Sequence, residues 1–165
     1  MFCFNELNHQ KAALEIKKYP VGKEKSAIMA LLWLAQEQDG QNILTKEKID
    51  YIAHFLSIPI IKVYEVASFY TMYNLTDVGK NHIQICGTVP CHLVGAKDLL
   101  EICKKVLGVD KDQVTSDGKI SFTEVECLGA CTHAPVMQVN NQKYYEKVDK
   151  SVMTGVINSL LNQSI

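Results

Sequence analysis

Apolar positions along this chain follow two rhythms, and the change from one to the other divides it. Through roughly the first 75 residues they recur at helical spacing. Asn8 to Tyr19 predicts a first helix, closed by Tyr19-Pro20 and Gly22. Ala27-Ile-Met-Ala-Leu-Leu-Trp-Leu-Ala35 is apolar on every face, which predicts a helix buried within a bundle and ended by Asp39-Gly40. Thr45 is the expected N-cap of a third helix, with Ile49, Ile52, Ala53 and Leu56 spaced i, i+3, i+4, i+7 along one buried face. Ser57 and Pro59 mark the start of a fourth, whose Val63, Ala67 and Tyr70 share a stripe. Its end, EVASFYTMYN, is aromatic-rich, and Phe69, Tyr70 and Tyr73 either seal the helices or face a partner.

At Asp77-Val78-Gly79 the pattern changes, and this is the expected linker between a helical bundle (1–78) and a second domain (79–165). His82 to Cys86 alternates like a half-buried strand. One helix is expected from about Cys91 to Leu107, carrying Leu93, Ala96, Leu100, Cys103 and Leu107 on one face and stopping at Gly108. Ser116-Asp117-Gly118 predicts a turn, Lys119 to Glu126 a strand, and Pro135–Val139 with Lys143–Tyr145 a hairpin about Asn140-Asn141. Asp149 is the expected N-cap of a last helix with Met153, Val156, Ile157 and Leu160 inward. Strand, crossing helix, strand, strand, helix closes most simply as a four-stranded mixed sheet flanked by helices, a thioredoxin-like arrangement. The expected class is therefore α+β with an α/β second domain.

Composition narrows the classes of function. With 165 residues, 47% apolar and 21% charged, the chain suits one domain or two small ones with real cores. A formal net charge of −1 gives no reason to expect nucleic acid or an anionic membrane as partner. All 17 basic residues are lysine, and without arginine there is no planar fork for bidentate phosphate or guanine contacts. The opening MFCFNELNHQ lacks the basic and apolar regions of a secretory signal. The longest apolar run, nine residues, is far short of the ~20 that span a bilayer. A soluble, intracellular protein is expected, in which six cysteines bind metal or catalyse more often than they form disulfides.

Four of those cysteines carry the candidate chemistry. Cys86 and Cys91 lie in CGTVPC, Cys127 and Cys131 in CLGAC, a C-x₄-C and a C-x₃-C separated by 35 residues. Each pair falls on a short loop at a strand end, with Gly87 or Gly129 beside the thiols to let backbone approach something bound between them. Cys91 is expected near a helix N-terminus, where thiolate is favoured. Four thiolates on such loops suit an iron–sulfur cluster whose negative charge amide N–H groups offset. Structural zinc, making the chain an interaction module with no redox role, is the alternative from a different class, although it usually takes a tighter C-x₂-C knuckle. A thioredoxin-type dithiol needs C-x-x-C, which is absent, and disulfides suit an intracellular chain poorly. Cys103 reads as a small core hydrophobe and Cys3 as part of a frayed terminus. His92 and His133 follow ligand candidates closely and are expected at the surface or behind the ligands. Asp117, Glu124 and Glu126 read as solvated. No nucleotide-binding or catalytic motif is present, so no catalytic residue is assigned.

These residues resemble a known family. EVASFYTMYN, VGK, the C-x₄-C pair followed by HLVGA, DGK, VECLGAC and Ala134-Pro135 together resemble the E-type subunit of NADH-quinone oxidoreductase, respiratory complex I, over nearly the whole chain. The resemblance implies a helical N-terminal bundle and a thioredoxin-like domain carrying one [2Fe–2S] cluster, with Cys86, Cys91, Cys127 and Cys131 at the ligand positions. It implies an electron-transfer subunit that is not catalytic alone and that works beside a flavoprotein subunit (F type) holding FMN and the NADH site, with other peripheral-arm subunits. It implies a cytoplasmic place, bound peripherally at the inner membrane through the complex. Relatives of the family also serve NAD-linked hydrogenases and formate dehydrogenases as diaphorase subunits, which is the near alternative.

Overall fold

The computed structural model describes residues 2–162, which divide into two compact units, one ending at Asp77 and the other beginning at Val78. In the first unit four helices follow in order, α1 (Glu6–Lys17), α2 (Ile28–Glu37), α3 (Lys46–Phe55) and α4 (Ile60–Phe69), with a 3₁₀ turn at Glu24–Ala27 leading into α2. The Asn5 side chain caps α1 by accepting from the Asn8 amide, so that helix starts earlier than its apolar spacing suggests. The terminus ahead of it is held. Phe4 is buried, and the Gln38 side chain donates to the Cys3 carbonyl at 2.8 Å. Cys3 is therefore exposed but not frayed.

Thr45 caps α3 as expected, and Ile49, Ile52 and Ala53 are buried with Leu31, Leu32, Ala35, Val63 and Ala67. The expectation of an all-round buried α2 fails at Met29, which is exposed. Gln36, a polar residue beyond the apolar run, is instead fully buried. It donates to the Met72 carbonyl and accepts from the Asn74 amide, so its desolvation is compensated. Lys48 is buried too, its ammonium 2.9 Å from Asp39 and 2.7 Å from the Ile43 carbonyl. The aromatic stretch splits. Tyr73 is buried and donates to the Met29 carbonyl, whereas Tyr70 leaves its expected stripe and Phe69 is 77% exposed.

In the second unit β1 (Asn81–Cys86) pairs in parallel with β2 (Ile120–Val125) and antiparallel with β3 (Met137–Val139), which pairs antiparallel with β4 (Lys143–Tyr145). The order β2-β1-β3-β4 makes β1 an inner strand. Two helices cross between β1 and β2, α5 (Val89–Leu93) and α6 (Ala96–Leu107). Gly95, at φ 105°, separates them in a left-handed conformation that L side chains rarely adopt. This break overturns the expectation of one helix and puts Leu93 in solvent rather than on the buried face. Beyond it Ala96, Leu99 and Cys103 are buried against the sheet. Asn140 and Asn141, both left-handed, turn the hairpin, and Asp149 caps α7 (Lys150–Leu161), which packs beside α6 through Met153 and Ile157. No helix among the described residues is long and apolar enough to cross a membrane.

β1 is not half-buried. Its apolar residues Ile83 and Ile85 enter the core, but His82 and Gln84 on its other face are buried as well. They are matched across the sheet. His82 Nδ1 lies 2.7 Å from Ser121 Oγ in the register of β2, and Gln84 Oε1 accepts from Gln138 and from the Asn141 amide. Burial pushes the His82 imidazole down to about 4, against an opposing pull from Asp112. Between pH 6.5 and about 4 the unfolded chain takes up a proton that folded His82 refuses. Stability therefore falls as pH is lowered through that window and levels off below it, by about 3 kcal/mol in total. Denaturant titrations between pH 7 and pH 4 should show this slope in the wild type and a flatter one in His82→Gln.

Candidate functional site

The parallel register of β1 with β2 decides where the chemistry sits. Cys86 is the last residue of β1 and lies opposite Val125, the last of β2, so the two cysteine loops leave the same end of the sheet. Cys86 and Cys91 are buried, at 2% and 1% exposure, while Cys127 and Cys131 are exposed. All four are free thiols. Cys127 and Cys131 bring their sulfurs to 4.0 Å, and Cys131 opens a 3₁₀ turn, Cys131–His133.

Polar groups already point at the sulfurs. The Gly129 amide donates to Cys127 Sγ at 3.3 Å, and Thr88 Oγ1 lies 3.2 Å from Cys86 Sγ. Burial pushes the Cys86 thiol up, but hydrogen bonds from Thr88, the Leu128 amide and Cys91 together bring it below its ordinary value. Cys91 goes the other way. Burial first, then its bond to Cys86, raise it above the ordinary value against the Val136 amide. Cys91 does stand in the first turn of α5, as expected, but α5 is only five residues long and burial outweighs any help from its N-terminus. Cys131 is raised by its bond to Cys127 and by the charges of Cys127 and Cys86. Burial and the neighbouring thiol thus disfavour the thiolate at Cys91, and the neighbouring thiols disfavour it at Cys131.

His92 is half-buried, its Nε2 2.9 Å from Glu124 Oε1, and Lys111 lies 3.6 Å from the other oxygen. Glu124 is thus part of the loop support and not the solvated strand position expected. A Cβ on Gly87 would stand 2.3 Å from Glu124 Oε1, so glycine is what lets the first loop pass under that carboxylate. His133 is exposed, with Nδ1 3.1 Å from Thr132 Oγ1. Cys103 is fully buried beside Met153, and burial alone pushes its thiol up to about 12. Tyr144, which nothing in the sequence singled out, donates its hydroxyl to the Leu128 carbonyl between the second pair of thiols. Only the tertiary pairing of β4 reveals it.

Among the described residues no group of three or more His, Cys, Asp or Glu gathers about a single point, and the four thiols stand as two pairs. Two thiol pairs on facing loops match a two-iron centre, which takes two protein ligands on each iron. The inward amides of Leu128, Gly129 and Val136 match its negative charge.

A four-stranded mixed sheet backed by α6, with two two-thiol loops at one end, defines a thioredoxin-like protein with a sulfur-rich site. The model of the thioredoxin-like [2Fe–2S] ferredoxin family matches residues 12–161, and the chain belongs to that family. It is 48% identical over 161 residues to a Rickettsia bellii protein named as the E-type subunit of NADH-quinone oxidoreductase, covering 98% of this chain and 95% of that one. It is 38% identical over 161 residues to a Dictyostelium discoideum protein named NADH dehydrogenase [ubiquinone] flavoprotein 2, mitochondrial, covering 98% of this chain and 64% of that one. Among solved structures, an NAD+-reducing [NiFe]-hydrogenase in the H2-reduced state superposes with a TM-score of 0.70 at 19% identity. That match covers 84% of this chain but 23% of the hydrogenase chain, and at this identity the likeness is one of fold.

Proposed function

We propose that Cys86, Cys91, Cys127 and Cys131 hold one [2Fe–2S] cluster and that the chain is the E-type electron-transfer subunit of NADH-quinone oxidoreductase. The observation that carries this is the set of four free thiols on two loops at one sheet end, in a chain 48% identical to such a subunit over nearly its full length. When bound, such a cluster accepts and releases one electron at a time. The protein's own part is to supply two buried and two exposed sulfurs, to direct amides at them, and to offer a way in for a partner. Val89, Leu93 and Val94 are exposed around buried Cys91, an apolar rim suited to a docked partner. The partner in this reading is the flavoprotein subunit with FMN and NADH, the segment 1–78 serves as a helical docking domain and 79–165 as the ferredoxin domain. The complex lies on the cytoplasmic side of the membrane.

The hydrogenase likeness carries fold alone, so it does not raise the diaphorase reading above this one. Affinity purification of the tagged chain from its own cells separates them. Quinone-reductase subunits are expected in the complex; a hydrogenase or formate dehydrogenase catalytic subunit in their place would overturn the assignment.

A further inference from the structure

We propose that Tyr144 is a positioning residue for the site, setting the reduction potential of the cluster through one peptide group. This rests on the reading that the four thiols hold a [2Fe–2S] centre. The peptide joining Leu128 to Gly129 is held at both ends. Its carbonyl accepts from the Tyr144 hydroxyl, and its N–H donates to Cys127 Sγ at 3.3 Å. In a trans peptide the C=O and N–H point in opposite directions, so gripping the oxygen aims the hydrogen at the sulfur. Donation to the carbonyl also polarises the group and strengthens its N–H as a donor.

The loop around this peptide is otherwise open. Gly129 sits at φ 83°, and a Cβ there would meet nothing within 4 Å. Leu128 and Ala130 are only partly buried. Tyr144 is 40% exposed on edge strand β4, and its ring spans from the sheet to the loop. Burial, Glu146 and then the thiols of Cys86, Cys127 and Cys91 hold its phenol above the ordinary value, so it remains a proton donor beside them. The previous peptide, through the Leu128 amide, helps hold the Cys86 thiol below its ordinary value. A rotation of the Leu128–Gly129 unit therefore disturbs the sulfur environment on both loops.

An N–H directed at a ligand sulfur favours the more negative, reduced centre. Tyr144→Phe keeps the ring and removes the grip. The expected result is a full-length protein with unchanged iron and sulfide content, a cluster about tenfold harder to reduce (about 59 mV more negative for a one-electron couple), and shifted EPR g-values. Tyr145→Phe, the neighbouring tyrosine in contact with Lys143, should leave the potential in place. Mass-detected hydrogen exchange gives a second readout that needs no cluster. Amides of residues 128–130 should exchange faster in Tyr144→Phe than in wild type whether or not the variant loads iron. A loaded variant with wild-type potential and g-values, or an unloaded one with wild-type exchange in this loop, overturns the proposal. Wild-type protein lacking iron and sulfide would instead overturn the cluster reading on which it rests.

Discussion

Replacing Cys127 with serine should remove or strongly perturb the iron–sulfur chromophore, while Cys103→Ser should leave it intact. Both residues are cysteines in the same unit, and their surroundings separate them. Cys127 is exposed, 4.0 Å from Cys131, and receives the Gly129 amide, so its sulfur is free to ligate and its charge is met. A serine hydroxyl is a far poorer anion and a harder ligand, which a thiolate-selecting centre takes badly. Cys103 faces the thioether of Met153 in the core with its thiol pushed up to about 12, so it stays neutral and inert. Serine there leaves a buried hydroxyl with no strong acceptor and costs about 1–3 kcal/mol. Visible absorption and reduced-state EPR read the first effect, and denaturant titration reads the second. An unchanged EPR signal in Cys127→Ser would show that the ligands are misassigned.

Phe122→Ala should cost roughly 3–5 kcal/mol, the largest stability loss expected from a single truncation here. Phe122 is 1% exposed on β2, in register with Ile83 of β1, and shares a core with Leu99, Met137 and Ile157. Its backbone is held by the parallel ladder with β1, which limits how far the cavity can close. The same strand ends at Val125 and delivers Cys127 to the site by way of Glu126, so iron loading should fall with stability. Phe69→Ala removes the same side chain from a position 77% exposed and should stay within about 0.5 kcal/mol. Equal losses in the two variants, measured by denaturant midpoints, would contradict this placement of the core.

The residues show why much of this could be read from sequence. Thr45 and Asp149 cap their helices because their side chains bond locally to the amides of Lys48 and Val152, an interaction contained within four residues. The hairpin about Asn140-Asn141 and the two cysteine pairs are equally local, and VECLGAC is specific enough to carry a family. What sequence missed depends on register. His82 and Gln84 alternate with isoleucines as surface residues would, and only the placement of β1 between β2 and β3 buries them against Ser121 and Gln138. The break at Gly95 escaped because the apolar spacing of Leu93 and Ala96 runs through it, although the left-handed glycine does not. Glu124 and Tyr144 gain their roles from partners 32 and 16 residues away.

The most direct test of the four-thiol assignment is reduced-state EPR on anaerobically purified full-length chain, with iron and acid-labile sulfide measured on the same sample. The expected result is a one-electron [2Fe–2S] signal with iron and sulfide each at about two per chain. Stoichiometric zinc with no iron and no EPR signal would contradict it.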